Sequence, residues 1–247
     1  MAEWGRKVSQ KKDQICKQKV MYLGFTISNC QRELLPDQKK AIACLSPPKT
    51  CQELWEFWGM AGFCRIWIPN CGLIVKPLYE VLKGLDSEHL NWTKEYQLAF
   101  DTIKARLSSA LVLWLPNLDK PFGLYALERQ GISLGVLTQK LGTVSRPVAC
   151  FSEQLDQTVK GWPPYLLAVA TTCDILQEAE KFTLGQPTRV YVSHHVLRLL
   201  EQKGGYWLTS GRMGKYQATY WITQMSGYKS PQLWSQPPYS PVKPHKP

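Results

Sequence analysis

The stretch that decides the fold of the first half of the chain is TCQELWEFWGMAGFCRIWIP, residues 50–69. Its pattern predicts one amphipathic helix. Thr50 and Glu53 form a capping box, in which each side chain binds a backbone N–H of the first turn, and Pro69 marks the end. Apolar side chains recur at helical spacing on one face, which is expected to lie in a core. They are Leu54, Phe57, Trp58, Ala61 and Cys64.

Two glycines interrupt this helix, and a second stripe runs beside its apolar face. Gly59 and Gly62 each cost about 1 kcal/mol relative to alanine inside a helix. Trp55, Gly59 and Phe63 are spaced by four residues, which places a ring, a bare backbone and another ring in one line. Two interpretations are open: another molecule approaches this line closely, or the glycines only let a neighbouring helix pack tightly.

Charge is the next informative property. The 247 residues carry 30 Lys and Arg against 19 Asp and Glu, a formal net charge of +11. The first 49 residues hold ten basic and four acidic side chains, so that 10 − 4 = +6. This excess favours a polyanionic partner, with nucleic acid ahead of an acidic membrane surface, and makes Lys11 and Lys12 candidate phosphate contacts. The alternative is an ordinary basic surface.

The remaining composition argues against several classes of protein. The eight cysteines form no CxxC pair, and we interpret them as reduced, buried thiols of an intracellular protein, cytoplasmic or nuclear. The first residues contain no apolar signal-peptide core, and no apolar run reaches the roughly 20 residues that cross a membrane. We therefore expect neither a secretory leader nor a membrane association.

The pattern divides the chain into four segments. Residues 1–35 end in two predicted short strands, near 20–27 and 32–35, and residues 36–116 predict a helical bundle. Residues 117–228 predict three strands, a helix, a strand and further helices, which is the order of an α/β domain with a mixed sheet. Residues 229–247 contain six prolines, which predict an extended, disordered linker.

Individual elements can be placed within these segments. In the bundle, Pro69 and Pro77 bound a short helix, and Thr93 is the N-cap of a longer one whose apolar face runs from Tyr96 to Leu107. In the α/β domain, strands are expected at 122–127, 132–139, 147–151 and 189–193, and helices at 165–182, near 195–202 and at 210–221. The turn Pro116–Asp119 marks the boundary between the two domains.

The residues show no recognisable catalytic or metal site. Two-metal nucleotide chemistry needs clustered carboxylates, and the chain has no Asp-Asp pair, no P-loop and no HExxH. His194 and His195 are adjacent, so on a strand they point to opposite faces and are poor partners for one metal. We therefore name no catalytic and no metal-ligating residue.

Five collinear motifs resemble one portion of the Pol polyprotein of gammaretroviruses and their endogenous relatives. That portion comprises the end of the reverse-transcriptase palm, the thumb and the connection domain. The motifs are SQKKDQICKQKVMYLGF (9–25), the helix of 50–69, GVLTQKLG (135–142), RPVACFSEQLD (146–156) and LGQP (184–187). The resemblance implies an α+β fold: a short β-hairpin and a helical thumb, followed by an RNase H-like domain with a mixed sheet.

The resemblance also implies which residues contact nucleic acid. The hairpin at 20–25 would hold the primer end through its backbone, and the helix of 50–66 would track the minor groove of the template–primer. Trp55 departs from the polar residue usual at its place. The expected contacts are Met21, Tyr22, Leu23, Gly24, Trp55, Gly59, Gly62 and Phe63, with Lys11 and Lys12.

The resemblance implies binding without catalysis. An active RNase H needs carboxylates on strand 1, on the first helix and at the end of strand 4. Strand 1 reads Leu124–Leu127 with Glu128 only after it, the first-helix turn 165–168 has no acid, and strand 4 ends in Ser193. In the family, the polymerase aspartates lie upstream and the catalytic RNase H domain follows downstream.

The expected function is a fragment that grips an RNA–DNA hybrid or duplex and needs no cofactor, Mg²⁺ being required only by the longer parent enzyme. Three alternatives stay open. The chain could be part of an RNA-directed DNA polymerase/ribonuclease H that is active only in a longer product. It could be a host-retained protein that meets viral Pol or host proteins through the proline-rich tail. It could also be a reading frame with no selected role.

Overall fold

The structure is a computed structural model that describes residues 14, 16–84, 92–110, 112–192 and 208–221. The first elements are β1 (Lys19–Tyr22), β2 (Phe25–Ser28), β3 (Gln31–Leu34), α1 (Pro36–Ala43), α2 (Cys51–Phe63), a 3₁₀ turn (Arg65–Trp67), α3 (Cys71–Gly84) and α4 (Lys94–Ser108). They are followed by β4 (Leu113–Trp114), β5 (Phe122–Arg129), β6 (Ile132–Leu141), β7 (Val144–Gln154), α5 (Gln157–Lys160), α6 (Pro164–Thr183), β8 (Thr188–Tyr191) and α7 (Ser210–Trp221). Lys11, Lys12, the helix predicted near 195–202 and the proline-rich tail lie outside the described residues.

The first sheet is antiparallel, in the order β1-β2-β3-β4. The prediction of one strand near 20–27 is wrong, because the chain reverses at Leu23 and Gly24, which have φ of +45° and +82°. Two positive φ values in a two-residue loop match a type I′ hairpin, whose twist suits the flanking strands. β4 also falls in the segment predicted to be helical. A strand of two residues has no periodicity that a sequence could reveal.

α2 begins at the predicted capping box but ends at Phe63. The Thr50 hydroxyl accepts a hydrogen bond from the Glu53 N–H at 3.2 Å, and the Glu53 carboxylate accepts one from the Lys49 N–H at 2.7 Å. Pro69 forces the preceding Ile68 into extended backbone, so the helix must end earlier. The 3₁₀ turn that replaces its last turn buries Trp67 in the bundle.

α3 continues through Pro77, so the prediction that this proline ends a helix is wrong. A proline inside a helix costs about 3 kcal/mol through its missing N–H and its ring. Val75, Leu78 and Val81 on the same helix are buried, and this apolar face supplies the offsetting stabilisation. α4 agrees with the prediction, with Thr93 accepting from the Tyr96 N–H at 3.4 Å.

The second sheet has the order β7-β6-β5-β8, in which β5 and β8 are parallel and the other pairs antiparallel. The predicted mixed sheet and α+β class are therefore confirmed. β5, β6 and β7 are longer than predicted, whereas β8 is shorter and ends at Tyr191, and Glu128 lies within β5 rather than after it. α6 packs on one face of this sheet through a core that includes Leu124, Leu137 and Val169.

Two hydrophobic clusters form the core. One spans Leu34 to Leu113 and the other spans Phe122 to Tyr216, with Ile66 packed against both. The turn between them is held by Gln139, whose amide nitrogen donates to the carbonyls of Asn117 at 2.7 Å and Lys120 at 3.0 Å. The domain limits given above remain a prediction.

The structure bears on two expectations, that the cysteines are buried and that the chain does not associate with a membrane. Four cysteines are buried, but Cys16, Cys30 and Cys44 are exposed, so the expectation that the thiols are buried holds only in part. Burial raises the pKa of Cys64 to about 11 and that of Cys71 to about 12, which makes both poor nucleophiles. In the described ranges, no helix is long and apolar enough to span a bilayer.

Candidate nucleic-acid interface

The hairpin of β1 and β2 presents large apolar side chains to solvent. Met21, Tyr22 and Leu23 are 61%, 58% and 69% exposed. Gly24 completes the turn, and a Cβ placed there would lie 2.5 Å from the Gln38 amide nitrogen. The turn therefore favours glycine for its positive φ, whereas the end of the Gln38 side chain can move aside. These four candidate residues form one exposed tip.

The outer edge of β1 is already hydrogen-bonded at one residue. The Gln14 side chain donates to the Met21 carbonyl at 2.7 Å and accepts from the Met21 N–H at 2.9 Å. The Gln14 carboxamide makes the two backbone hydrogen bonds that a neighbouring strand would make, so it protects an otherwise open strand edge. A ligand that used the Met21 backbone would first have to displace Gln14.

The second candidate surface is the stripe on α2. Trp55 and Phe63 are 53% and 52% exposed, although both are large aromatic residues. A Cβ added at Gly59 or Gly62 would meet no atom of the described residues within 4 Å. The interpretation that these glycines admit a tightly packed neighbouring helix is therefore wrong for the described part of the chain. Close approach by another molecule remains the open interpretation.

The two surfaces join through Phe25. Its ring stacks on that of Phe63 with centroids 4.9 Å apart and planes inclined by 10°. Phe25 is also the direct cross-strand partner of Tyr22, so their side chains lie on the same face of the sheet. Tyr22 and Phe25 thus join the hairpin to the α2 stripe, while Met21, opposite Thr26, lies on the other face of the hairpin. We call the candidate residues together the groove surface: Met21, Tyr22, Leu23, Gly24, Trp55, Gly59, Gly62 and Phe63. Sequence reasoning missed Phe25. The available indication was that Phe25 and Thr26, as neighbours on a strand, must point to opposite faces.

Charge around the groove surface is mixed. Lys17 and Lys19 are exposed at the start of the hairpin, and Lys49 is exposed just before α2. The acids of α2 have partners, since Glu53 caps the helix and Glu56 accepts from Gln52 at 3.1 Å. Basic side chains therefore border the groove surface from the hairpin side.

The carboxylates of the RNase H-like sheet have separate protein partners. Glu128 accepts from the Gly131 N–H at 2.7 Å and so closes the β5–β6 turn. Asp174 on α6, which the sequence reasoning overlooked, lies 3.5 Å from the Ser133 hydroxyl of β6. Burial raises the pKa of Asp174, because a low-dielectric surrounding disfavours the ionised carboxylate.

Two further acids of this domain bind an arginine of the helical bundle. Arg65 lies 3.0 Å from Glu153 of β7 and 3.5 Å from Glu178 of α6. Within the described ranges, no group of three or more His, Cys, Asp or Glu side chains is arranged to hold a metal ion. The described carboxylates therefore do not fit a two-metal site.

Comparison with known proteins agrees with this architecture. Residues 92–190 match the family described as the RNase H-like domain found in reverse transcriptase. The Gag-Pol polyprotein of baboon endogenous virus (strain M7) is 41% identical over 247 residues, and that of woolly monkey sarcoma virus is 44% identical over 218 residues. These alignments cover 100% and 88% of this chain but only 14% and 13% of the two polyproteins.

A solved structure shows the same fold. The foamy viral protease-reverse transcriptase in complex with RNA/DNA hybrid superimposes with a TM-score of 0.78 over 96% of this chain and 32% of that chain, at 23% identity. The fold and the matched family place the chain among proteins that carry the RNase H-like domain found in reverse transcriptase. The chain belongs to the gammaretroviral Pol family and corresponds to a segment of its polyprotein.

Proposed function

We propose that the chain grips an RNA–DNA hybrid or duplex along the groove surface and does not itself catalyse. The observation that carries the proposal is the Phe25–Phe63 stack, which makes one surface from the hairpin tip and the α2 stripe. A surface that continues from a hairpin to a helix suits an extended ligand better than a small molecule.

The chemistry of the groove surface fits the sugar edge of a minor groove. Gly59 and Gly62 leave bare backbone on the exposed side of α2, so a ligand can approach the helix axis closely. Trp55 and Phe63 offer half-exposed rings that can pack on sugars. The net charge of +11 adds the attraction to phosphates that such contacts need.

The absence of catalysis is proposed on the state of the carboxylates. Glu128 and Asp174 have separate hydrogen-bond partners, and Glu153 and Glu178 share Arg65, as described above. No step through Mg²⁺ is therefore assigned to this chain. In a longer product, polymerase or RNase H chemistry would reside in other segments, because this chain spans only about one seventh of its curated relatives.

A salt titration on template–primer duplex tests the binding. Each phosphate neutralised on duplex DNA contributes a slope of roughly −0.9 in log K against log salt. We expect a steep negative slope with little preference for sequence. A flat response, or no binding at low salt, would refute the grip.

Catalysis is tested in parallel. Primer extension and hybrid cleavage are measured with purified chain and Mg²⁺, against a buffer control. We expect no product in either assay. Activity above the control that persists through purification would contradict the non-catalytic part of the proposal alone.

A further inference from the structure

Arg32 lies where the first sheet, the helical bundle and the RNase H-like domain meet. It belongs to β3, which is paired on both sides, with Ile27 of β2 and Leu113 of β4 directly opposite it. Its guanidinium carbon lies 5.1 Å from the ring centroid of Trp67 and 6.0 Å from that of Phe182. One side chain therefore spans the junction between three parts of the molecule.

The two rings belong to different cores. Trp67, in the 3₁₀ turn after α2, is buried in the cluster of the helical bundle. Phe182, in the last turn of α6, packs against the RNase H-like core, and its ring centroid lies 5.6 Å from that of Phe151. Arg32 thus contacts an anchored ring on each side.

The hydrogen bonding of Arg32 is unusual for a buried cation. Its Nε and Nη2 atoms, and the Nε1 atom of Trp67, are buried without an acceptor among the described residues. Burial also lowers the pKa of Arg32. A buried cation without a hydrogen-bonded partner is costly, and attraction to two ring faces offsets only part of that cost. Stability alone would favour an apolar side chain here.

Geometry explains what an arginine provides. Its guanidinium is flat and stacks on aromatic rings, whereas a lysine ammonium is a compact point charge. The same seam has other contacts: Arg65 pairs with Glu153 and Glu178, and the Gly72 N–H donates to the Ser152 hydroxyl at 2.8 Å. The ion pairs are partly exposed, and such pairs contribute little on their own. Arg32 is half-buried and adds a stacked contact to the seam, beside Ile66, which packs against both cores.

The position of the seam connects it to the groove surface. Arg65 and Trp67 lie in the 3₁₀ turn that directly follows Phe63, the last residue of α2. Glu178 and Phe182 are one turn apart on α6, so they face the same side. The end of α2 is therefore held against α6 at two points.

We propose that Arg32 is a positioning residue that fixes the orientation of the groove surface relative to the RNase H-like domain, so that one duplex runs along both. The inference rests on the proposed function, because it concerns how a long hybrid or duplex is held. The affinity for a duplex that reaches only the groove surface should not depend on Arg32. The affinity for a duplex that extends onto the second domain should depend on it.

The test compares Arg32→Met with Arg32→Lys and uses Arg212→Met as a matched control. Arg212 also lies over a ring, Trp162, at 5.4 Å, but both belong to the RNase H-like domain. Affinity is measured for duplexes of about one to three helical turns at a single salt concentration. For Arg32→Met we expect the affinity for the shortest duplex to be unchanged. The increase in affinity from the shortest to the longest duplex should be about 3- to 10-fold smaller than in wild type. Arg32→Lys should recover part of that gain, and Arg212→Met should behave as wild type.

Several outcomes would overturn the assignment. Arg32 would not orient the domains if Arg32→Met gained as much affinity as wild type when the duplex is lengthened. The same conclusion would follow if the variant lost affinity by the same factor for every duplex length. No binding by the wild-type chain at any length would refute the proposed function instead. Backbone amide exchange would then decide the inference: Arg32→Met should speed exchange at the 3₁₀ turn and the end of α6 but not in α7. Unchanged exchange there would refute it.

Discussion

Replacing Gly59 by alanine tests whether the backbone of α2 is left bare for close approach of nucleic acid or for packing of a neighbouring helix. Gly59 is exposed near the middle of α2, and a Cβ at this position meets no atom of the described residues within 4 Å. Alanine is the better helix former by about 1 kcal/mol. A gain of this size raises Tm by about 4–8 °C in a domain of about 60–100 residues, the size of the predicted segment 36–116. We therefore expect Gly59→Ala to fold and to melt slightly higher.

Binding by the same variant should weaken. If the α2 backbone contacts the sugar edge, the new methyl group overpacks that contact, which costs about 1–3 kcal/mol. This corresponds to a rise in Kd of about 5- to 150-fold. The stability gain and the affinity loss would then have opposite signs, which general destabilisation cannot produce.

Gly214→Ala is the matched control. Gly214 is exposed on α7, and its Cβ position is equally open. It should gain the same helix stability without a change in affinity. Melting is followed by circular dichroism, and affinity for a template–primer duplex is measured by titration on the same preparations. Equal affinities of Gly59→Ala, Gly214→Ala and wild type would refute contact at Gly59.

Four further changes test separate features. Phe63→Ala should cost about 2 kcal/mol in unfolding, less than the 3–5 kcal/mol of a buried phenylalanine because the ring is half-exposed, and should weaken duplex binding in titration. Gln139→Ala removes the hydrogen bonds that hold the interdomain turn, so limited proteolysis at 116–120 should become faster than in wild type. Gly24→Ala should destabilise by about 1–2 kcal/mol in denaturant unfolding, because its φ is +82°. Burial raises the pKa of Asp174, so stability is lost as pH rises through that pKa; Asp174→Asn should therefore raise Tm at neutral pH, with a difference that shrinks in acid.

Much of the secondary structure was readable from local pattern. The capping box at Thr50, the N-cap at Thr93 and the predicted places of β5 to β8, α6 and α7 agree with the structure, although α5 was not predicted. These features arise from neighbours within a few residues, where hydrogen bonding of caps and side-chain periodicity decide the conformation. The identity of the exposed stripe was also readable, because spacing by four places residues on one helix face.

Tertiary structure decided which of those residues are accessible. The spacing of Trp55, Gly59 and Phe63 is equally compatible with a packed helix pair and with an open surface. Only the arrangement of the neighbouring elements shows that no described residue packs against the glycines. The same holds for the reversal at Leu23, where the pairing of β1 with β2 on either side of the two-residue turn stabilises a positive φ.

The junction at Arg32 could not have been inferred from sequence at all. Its two rings, Trp67 and Phe182, are distant along the chain, and only the packing of the two cores brings them to one guanidinium. Local sequence thus determined most of the helices and strands, because these depend on short-range hydrogen bonds and on the periodicity of apolar side chains. The continuity of the groove surface and its orientation against the second domain depend on contacts between residues far apart in sequence, which no local pattern encodes.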